Sequence, residues 1–206
     1  KSNSSDTEVL FNYLIYMDGL NNLQKLNGMF AFAFYDSFKK DLFLVRDRFG
    51  IKPLFYYSEN NEIYFASEIK AIKRALSKEL VLNKKSISDY FSLMYVTDNK
   101  TIYKDINKIP SGSFLKFNLN KNSSTMVRWF DFSFNENILN GTFEDIEDEL
   151  DLKIQNAIKK WTVSDVPISS SLSGGLDSSI ITRIVSRSNK NINTFSLGFE
   201  ENFIID

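Results

Sequence analysis

The stretch Met29–Asp36, MFAFAFYD, puts Phe30, Phe32 and Phe34 on one side of a strand and Met29, Ala31, Ala33 and Tyr35 on the other. Both sides are apolar, so the strand needs cover on both faces and reads as the central strand of its sheet. DLFLVRD, PLFYYS and EIYFAS follow with short polar turns between them. A run of antiparallel strands with two apolar faces suits stacked sheets. The chain can fill such a core: 43% of its 206 residues are hydrophobic and 19 are Phe.

Helices flank this run. SSDTEVLFNYLIYMD opens with a start signal in which Ser5 or Asp6 can cap and Glu8 sits three after Ser5. Val9, Leu10, Tyr13, Leu14 and Met17 share one helical face. Residues 67–76 and 86–96 read as two more helices, and GSFLKFNL and TMVRWFDF as strands around the NLNKNSS turn. Residues 132–142 are polar and weakly periodic, a linker. From Phe143 the pattern changes. Phe143, Ile146, Leu150, Ile154, Ala157, Ile158 and Trp161 mark one face of a long helix, followed by VPISSSL, a Gly-Ser loop, SSIITRIVSRS and INTFSLGF. Helix–strand–loop–helix–strand is the order of a parallel α/β sheet.

Charge narrows the partners. Lys and Arg number 25 against 26 Asp and Glu, with no basic stripe, so nothing favours nucleic acid. No apolar run reaches membrane-span length, and a cytoplasmic setting is the default expectation. With no Cys and no His, thiolate and imidazole chemistry are excluded for these residues. The chain begins at Lys1 and stops at Asp206 soon after a strand-like segment, as expected of an internal piece of a longer protein.

The loop SLSGGLDSSI, Ser171–Ile180, is the clearest chemical signal. A strand feeding a glycine turn into a helix start offers free backbone N–H groups and a positive dipole end to an anion. Gly174 and Gly175 let backbone approach phosphate oxygens, and Ser173, Ser178 and Ser179 add hydroxyls. The pattern is neither G-x-x-x-x-G-K-[ST] nor G-x-G-x-x-G. Asp177 would repel a bound phosphate unless a cation lies between, which suggests Mg²⁺. A plainer reading makes Asp177 a helix cap.

SGGLDSS resembles the pyrophosphate loop of N-type ATP pyrophosphatases. LNGMFAFAFYD, LFLVRDRFGIKPLFYY and IYFASEIKAI resemble the second half of a class II glutamine amidotransferase domain. In this order the blocks are similar to the glutamine-hydrolysing asparagine synthetase family. The resemblance implies an α+β αββα sandwich, Ntn-hydrolase-like, over 1–131, and the start of an α/β parallel-sheet ATP pyrophosphatase domain over 143–206. It implies that glutamine hydrolysis supplies ammonia to a second site, where ATP adenylates aspartate and ammonia attacks the β-aspartyl-AMP. By the same resemblance, Ser173, Gly174, Gly175, Leu176, Asp177, Ser178 and Ser179 hold ATP, Leu172 and Leu197 contact the nucleotide, and Asp177 ligates Mg²⁺. Asp6 matches the aspartate that pairs with the α-ammonium of glutamine. For Leu172 and Leu197 ordinary core remains an alternative, and for Asp6 a plain cap.

The family's nucleophile is an N-terminal Cys, which this chain lacks, so no catalytic residue is expected within it and the isolated chain is expected to be inactive. Arg46 and Asp47 of RDRFGIKPL read as structural, pairing or anchoring a turn in which Gly50 takes a positive φ. Three alternatives stay open: a related amidotransferase acting on a sugar or other carboxylate, a non-catalytic interaction module, and a tRNA-modifying pyrophosphatase-loop enzyme. A homodimer is an open option.

Overall fold

The computed structural model describes residues 5–97, 99–132 and 141–198, which fall into two units divided at Phe134/Asn135. Residues 133–140 of the expected linker lie outside the described residues.

The first unit runs α1 (Asp6–Tyr16), a 3-10 turn (Leu23–Lys25), β1 (Ala31–Asp36), β2 (Asp41–Arg46), β3 (Phe55–Glu59), β4 (Glu62–Ala66), α2 (Ile69–Ala75), α3 (Lys84–Leu93), β5 (Asn107–Lys108), β6 (Ser113–Asn118) and β7 (Ser123–Arg128). Two antiparallel sheets form, one ordered β1-β2-β6-β7 and the other β4-β3-β5. Register follows the period-2 pattern: Phe32 stands opposite Val45 and Phe34 opposite Phe43. Leu42, Leu44, Leu115 and Phe117 of the first sheet pack with Tyr56 and Ile63 of the second. Phe43 and Val45, on the other face, pack with Phe32, Phe34 and Phe114 against Leu20, Leu23 and Leu26. The second sheet's other face sets Tyr57 against Ile72 of α2 and Leu76, which caps its end. Each sheet is therefore covered on both faces over its inner strand, while edge strand β7 is exposed along all six residues.

The expected central strand is not where the sequence puts it. β1 lies at the edge of its sheet, and β2, buried along all six residues, lies inside. A two-sided apolar pattern reports what covers a strand's faces, not whether it has neighbours on both sides. The inward face of α1 is also narrower than its periodicity suggests. Leu14 is buried and Leu10 and Tyr13 half-buried, while Val9 and Met17 are exposed.

The second unit runs α4 (Phe143–Trp161), β8 (Ser169–Ser171), α5 (Leu176–Ser188) and β9 (Asn193–Phe195). A capping box starts α4: Thr142 Oγ1 accepts from the Asp145 N–H at 3.2 Å, and Asp145 Oδ2 accepts from the Thr142 N–H at 2.9 Å. β8 and β9 pair in parallel, Ser170 opposite Thr194. Of the expected apolar face of α4, Ile146, Ile154 and Ile158 are half-buried, while Phe143 and Trp161 stay exposed. Helical spacing gives the apolar stripe, but α5 covers only part of it.

Candidate functional sites

The loop between β8 and α5 is built from the end of the parallel pair. Leu172 is stitched to the β9 end: its N–H donates to the Phe195 carbonyl at 2.8 Å, and the Leu172 carbonyl accepts from Ser196 Oγ at 2.6 Å. The chain then turns through Gly174, whose φ of +83° suits glycine and strains other residues. A Cβ there would meet nothing within 4 Å, so conformation rather than crowding calls for glycine, and the space above the turn is open.

Gly175 is the N-cap of α5 and receives no side-chain cap. The N–H groups of Leu176, Asp177 and Ser178 therefore begin a helix without intrahelical acceptors, beside the positive end of its dipole. Ser179 closes the first turn, its N–H donating to the Gly175 carbonyl at 3.1 Å. The hydroxyls are engaged locally. Ser178 Oγ and Ser179 Oγ donate to the Gly175 carbonyl at 3.1 and 2.7 Å, and Ser173 Oγ lies 3.0 Å from Ser178 Oγ. An anion would thus meet backbone N–H groups first, with the hydroxyls turning to it afterwards.

Asp177 sits in the first turn of α5, exposed and inside the helix, so it is not the N-cap. Among the described residues no cluster of three His, Cys, Asp or Glu side chains could hold a metal alone. A lone carboxylate at a phosphate-type loop still fits Mg²⁺, which takes one or two carboxylates and completes its shell with substrate phosphates and water. Leu172 is half-buried, and Leu176 and Leu197 are 76% and 95% exposed, so Leu197 is not a core residue here.

In the first unit, Ser5 caps α1, accepting from the Glu8 N–H at 3.3 Å, and Asp6 is the first helical residue. That leaves the Asp6 carboxylate exposed at a groove of about 470 Å³. Thr7, Lys52 and Ser67 line the groove with Asp6, and Phe30 and Phe32 of the β1 region contribute apolar wall. Sequence reasoning missed Thr7, Lys52 and Ser67. A signal for Lys52 existed, since it is the one cation in the GIKPL end of a block otherwise suited to a tight turn.

That block is an anchor. Buried Asp47 accepts four backbone N–H bonds, from Phe30 (3.3 Å), Phe49 (3.1 Å), Ile51 (3.0 Å) and Lys52 (2.9 Å). Arg46 donates to the carbonyls of Lys52 (2.8 Å), Ile109 (2.7 Å) and Gly50. Gly50 has φ +65°, and a Cβ there would lie 2.8 Å from the Arg46 guanidinium carbon. Arg46 and Asp47 thus each bind backbone and together fix the start of the Lys52–Pro53 segment beside the groove.

A family model described as glutamine amidotransferase domain matches residues 1–130, and one described as asparagine synthase matches residues 149–204. Asparagine synthetase [glutamine-hydrolyzing] 1 of Bacillus subtilis is 33% identical over 198 residues, covering 96% of this chain and 30% of that protein. Asparagine synthetase [glutamine-hydrolyzing] 3 of Bacillus subtilis is 34% identical, covering 97% and 33%. Asparagine synthetase B [glutamine-hydrolyzing] of Escherichia coli is 34% identical, covering 89% and 27%. The chain spans about a third of the length of these relatives. Among solved structures, a glutamine phosphoribosylpyrophosphate amidotransferase from B. subtilis superposes with a TM-score of 0.41 at 16% identity, covering 94% of this chain and 39% of that one, a likeness too distant to bear on function.

Proposed function

We infer that this chain, which belongs to the glutamine amidotransferase domain family, serves in the ATP-dependent amidation of aspartate to asparagine with glutamine as nitrogen donor. The observation that carries the reading is the β8–α5 junction, a glycine turn with bare N–H groups and one exposed carboxylate at the end of a parallel strand. Ligands of open α/β sheets bind outside the carboxyl ends of the strands, and this loop stands there.

The chemistry asks for such a loop. A carboxylate is a poor acceptor for ammonia, whereas an acyl adenylate is a good one. ATP and aspartate give β-aspartyl-AMP and pyrophosphate; ammonia then displaces AMP to give asparagine. The N–H groups of Leu176–Ser178 and the hydroxyls of Ser173, Ser178 and Ser179 would hold the departing pyrophosphate, with Leu172 and Leu197 beside the nucleotide. Asp177 would hold Mg²⁺, which when bound neutralises charge on the leaving pyrophosphate.

In the first unit, Asp6 would take the α-ammonium of glutamine, whose hydrolysis gives glutamate and ammonia. On this reading residues 1–131 belong to an Ntn-hydrolase-like αββα sandwich and 132–142 are the linker. Residues 143–206 then open the ATP pyrophosphatase domain of a cytoplasmic enzyme, with room for a homodimer. Among the described residues no helix is long and apolar enough to cross a membrane.

The test is pyrophosphate release by the full-length protein from ATP and glutamine with a panel of carboxylate acceptors. Release with aspartate, matched by asparagine formed, supports the reading. Release that needs a different carboxylate, with no asparagine, moves the protein to a relative acting on another acceptor.

A further inference from the structure

The β8–β9 pair ends at the mouth of the glycine loop. Its parallel register runs Ser169–Asn193, Ser170–Thr194 and Ser171–Phe195, and the Leu172 N–H adds a bond to the Phe195 carbonyl at 2.8 Å. In a parallel ladder, a residue whose N–H bonds one carbonyl of the partner strand offers its own carbonyl to the N–H two residues further along. The Leu172 carbonyl would thus take the Leu197 N–H. It takes the Ser196 hydroxyl instead, at 2.6 Å. Among the described residues the Leu197 N–H then has no hydrogen-bond partner, and Leu197 is 95% exposed. A second hydroxyl pair, Ser170 Oγ and Thr182 Oγ1 at 2.7 Å, ties β8 to α5. The loop is therefore held from outside on both sides, while its own Ser173, Ser178 and Ser179 bond within it.

We propose that Ser196 is a positioning residue for the nucleotide. By taking the Leu172 carbonyl with its side chain, it ends the strand pair at Phe195 and keeps the main chain of Leu197 open to a nucleotide laid across the two strand ends. This rests on the reading of the β8–α5 loop as an ATP site, with Leu172 and Leu197 beside the nucleotide. The hydroxyl has two effects. It satisfies a carbonyl that would otherwise stand as a bare acceptor at the mouth of an anion site. It also denies that carbonyl to the Leu197 N–H. Alanine at 196 offers the carbonyl nothing, and the ladder can then extend by one bond, Leu197 N–H to Leu172 carbonyl, which closes the strand ends against the nucleotide.

The experiment compares the full-length protein with Ser196→Ala and Ser196→Thr. Pyrophosphate release is followed with ATP varied at saturating aspartate and ammonium, and hydrogen exchange at the Leu197 amide is read without nucleotide. Ser196→Ala should raise KM for ATP about threefold to tenfold, with kcat and KM for aspartate little changed, and should slow exchange at the Leu197 amide. Ser196→Thr keeps the hydroxyl and should behave as the parent does. A purely structural role for Ser196 would lower stability and kcat and leave KM for ATP as it was. An unchanged KM for ATP in Ser196→Ala, or a Ser196→Thr that fails as the alanine variant does, overturns the assignment. A parent that releases no pyrophosphate with any carboxylate acceptor overturns the ATP reading itself, and the Ser196 assignment with it.

Discussion

Asp41 shows how a single buried charge is made tolerable at the start of the innermost strand. It is 2% exposed, and its carboxylate accepts from Lys116 Nζ at 2.8 Å and Asn118 Nδ2 at 2.6 Å. Burial pushes its pKa up, but the hydrogen bonds from Lys116 and Asn118 and the charge of Lys116 outweigh that and hold it below the usual carboxylate range. A depressed folded pKa gives stability that is present above the unfolded value of about 3.9 and is lost as pH falls through the folded one. Stability should therefore drop on acidification below about pH 4. In Lys116→Met, which removes the charge and one hydrogen bond, the folded pKa of Asp41 moves back up and the loss of stability on acidification should be smaller. Denaturant midpoints measured from pH 6 to pH 3 check this, and identical acid limbs for parent and variant would refute it. At this scale much was legible in the sequence. RDRFG reads as a turn anchor with a positive φ at Gly50, and it is one. Arg46 and Asp47 serve it through separate sets of backbone groups, and that division depends on which carbonyls and N–H groups come within reach after folding. The local Ser5/Asp6 ambiguity was settled by cap geometry, since only the residue outside the helix can accept from the Glu8 N–H.

Among the elements, strands and helices were readable because their periods of 2 and 3.6 are written in the chain. Lateral order was not, because pairing partners lie far apart in sequence: β2 pairs with β6 across more than sixty residues. Leu44 and Phe34 make the distinction measurable. Leu44, 0% exposed on interior β2, should lose about 2–5 kcal/mol on substitution by alanine. Phe34, half-buried on edge strand β1, should lose less although more atoms are removed. Urea unfolding of Leu44→Ala and Phe34→Ala decides. A larger cost at Phe34 would mean that β1 is the better-buried strand and that the order β1-β2-β6-β7 does not describe the protein. The α4 stripe carries the same lesson, since periodicity identifies an apolar face without naming what lies against it.

For the molecule as a whole, two units of different architecture carry the two candidate sites, the Asp6 groove in the first and the β8–α5 loop in the second. The glycine loop and Asp177 were visible in sequence, because a helix-start anion site is a local feature. The groove partners Thr7, Lys52 and Ser67 were not, because they come from α1 and two connecting loops that only folding brings together. On the proposed function, the Asp177 loop drives ATP activation while the Asp6 groove handles glutamine. Asp177→Asn in the full-length protein tests it most directly, as it keeps size and hydrogen bonding and removes only the charge. Two rates are measured on one preparation: pyrophosphate release with ATP, aspartate and ammonium, and glutamate release from glutamine. Pyrophosphate release should fall on the order of 10²-fold or more, without rescue by free ammonia, while glutamate release is retained. Near-normal pyrophosphate release by Asp177→Asn would contradict it.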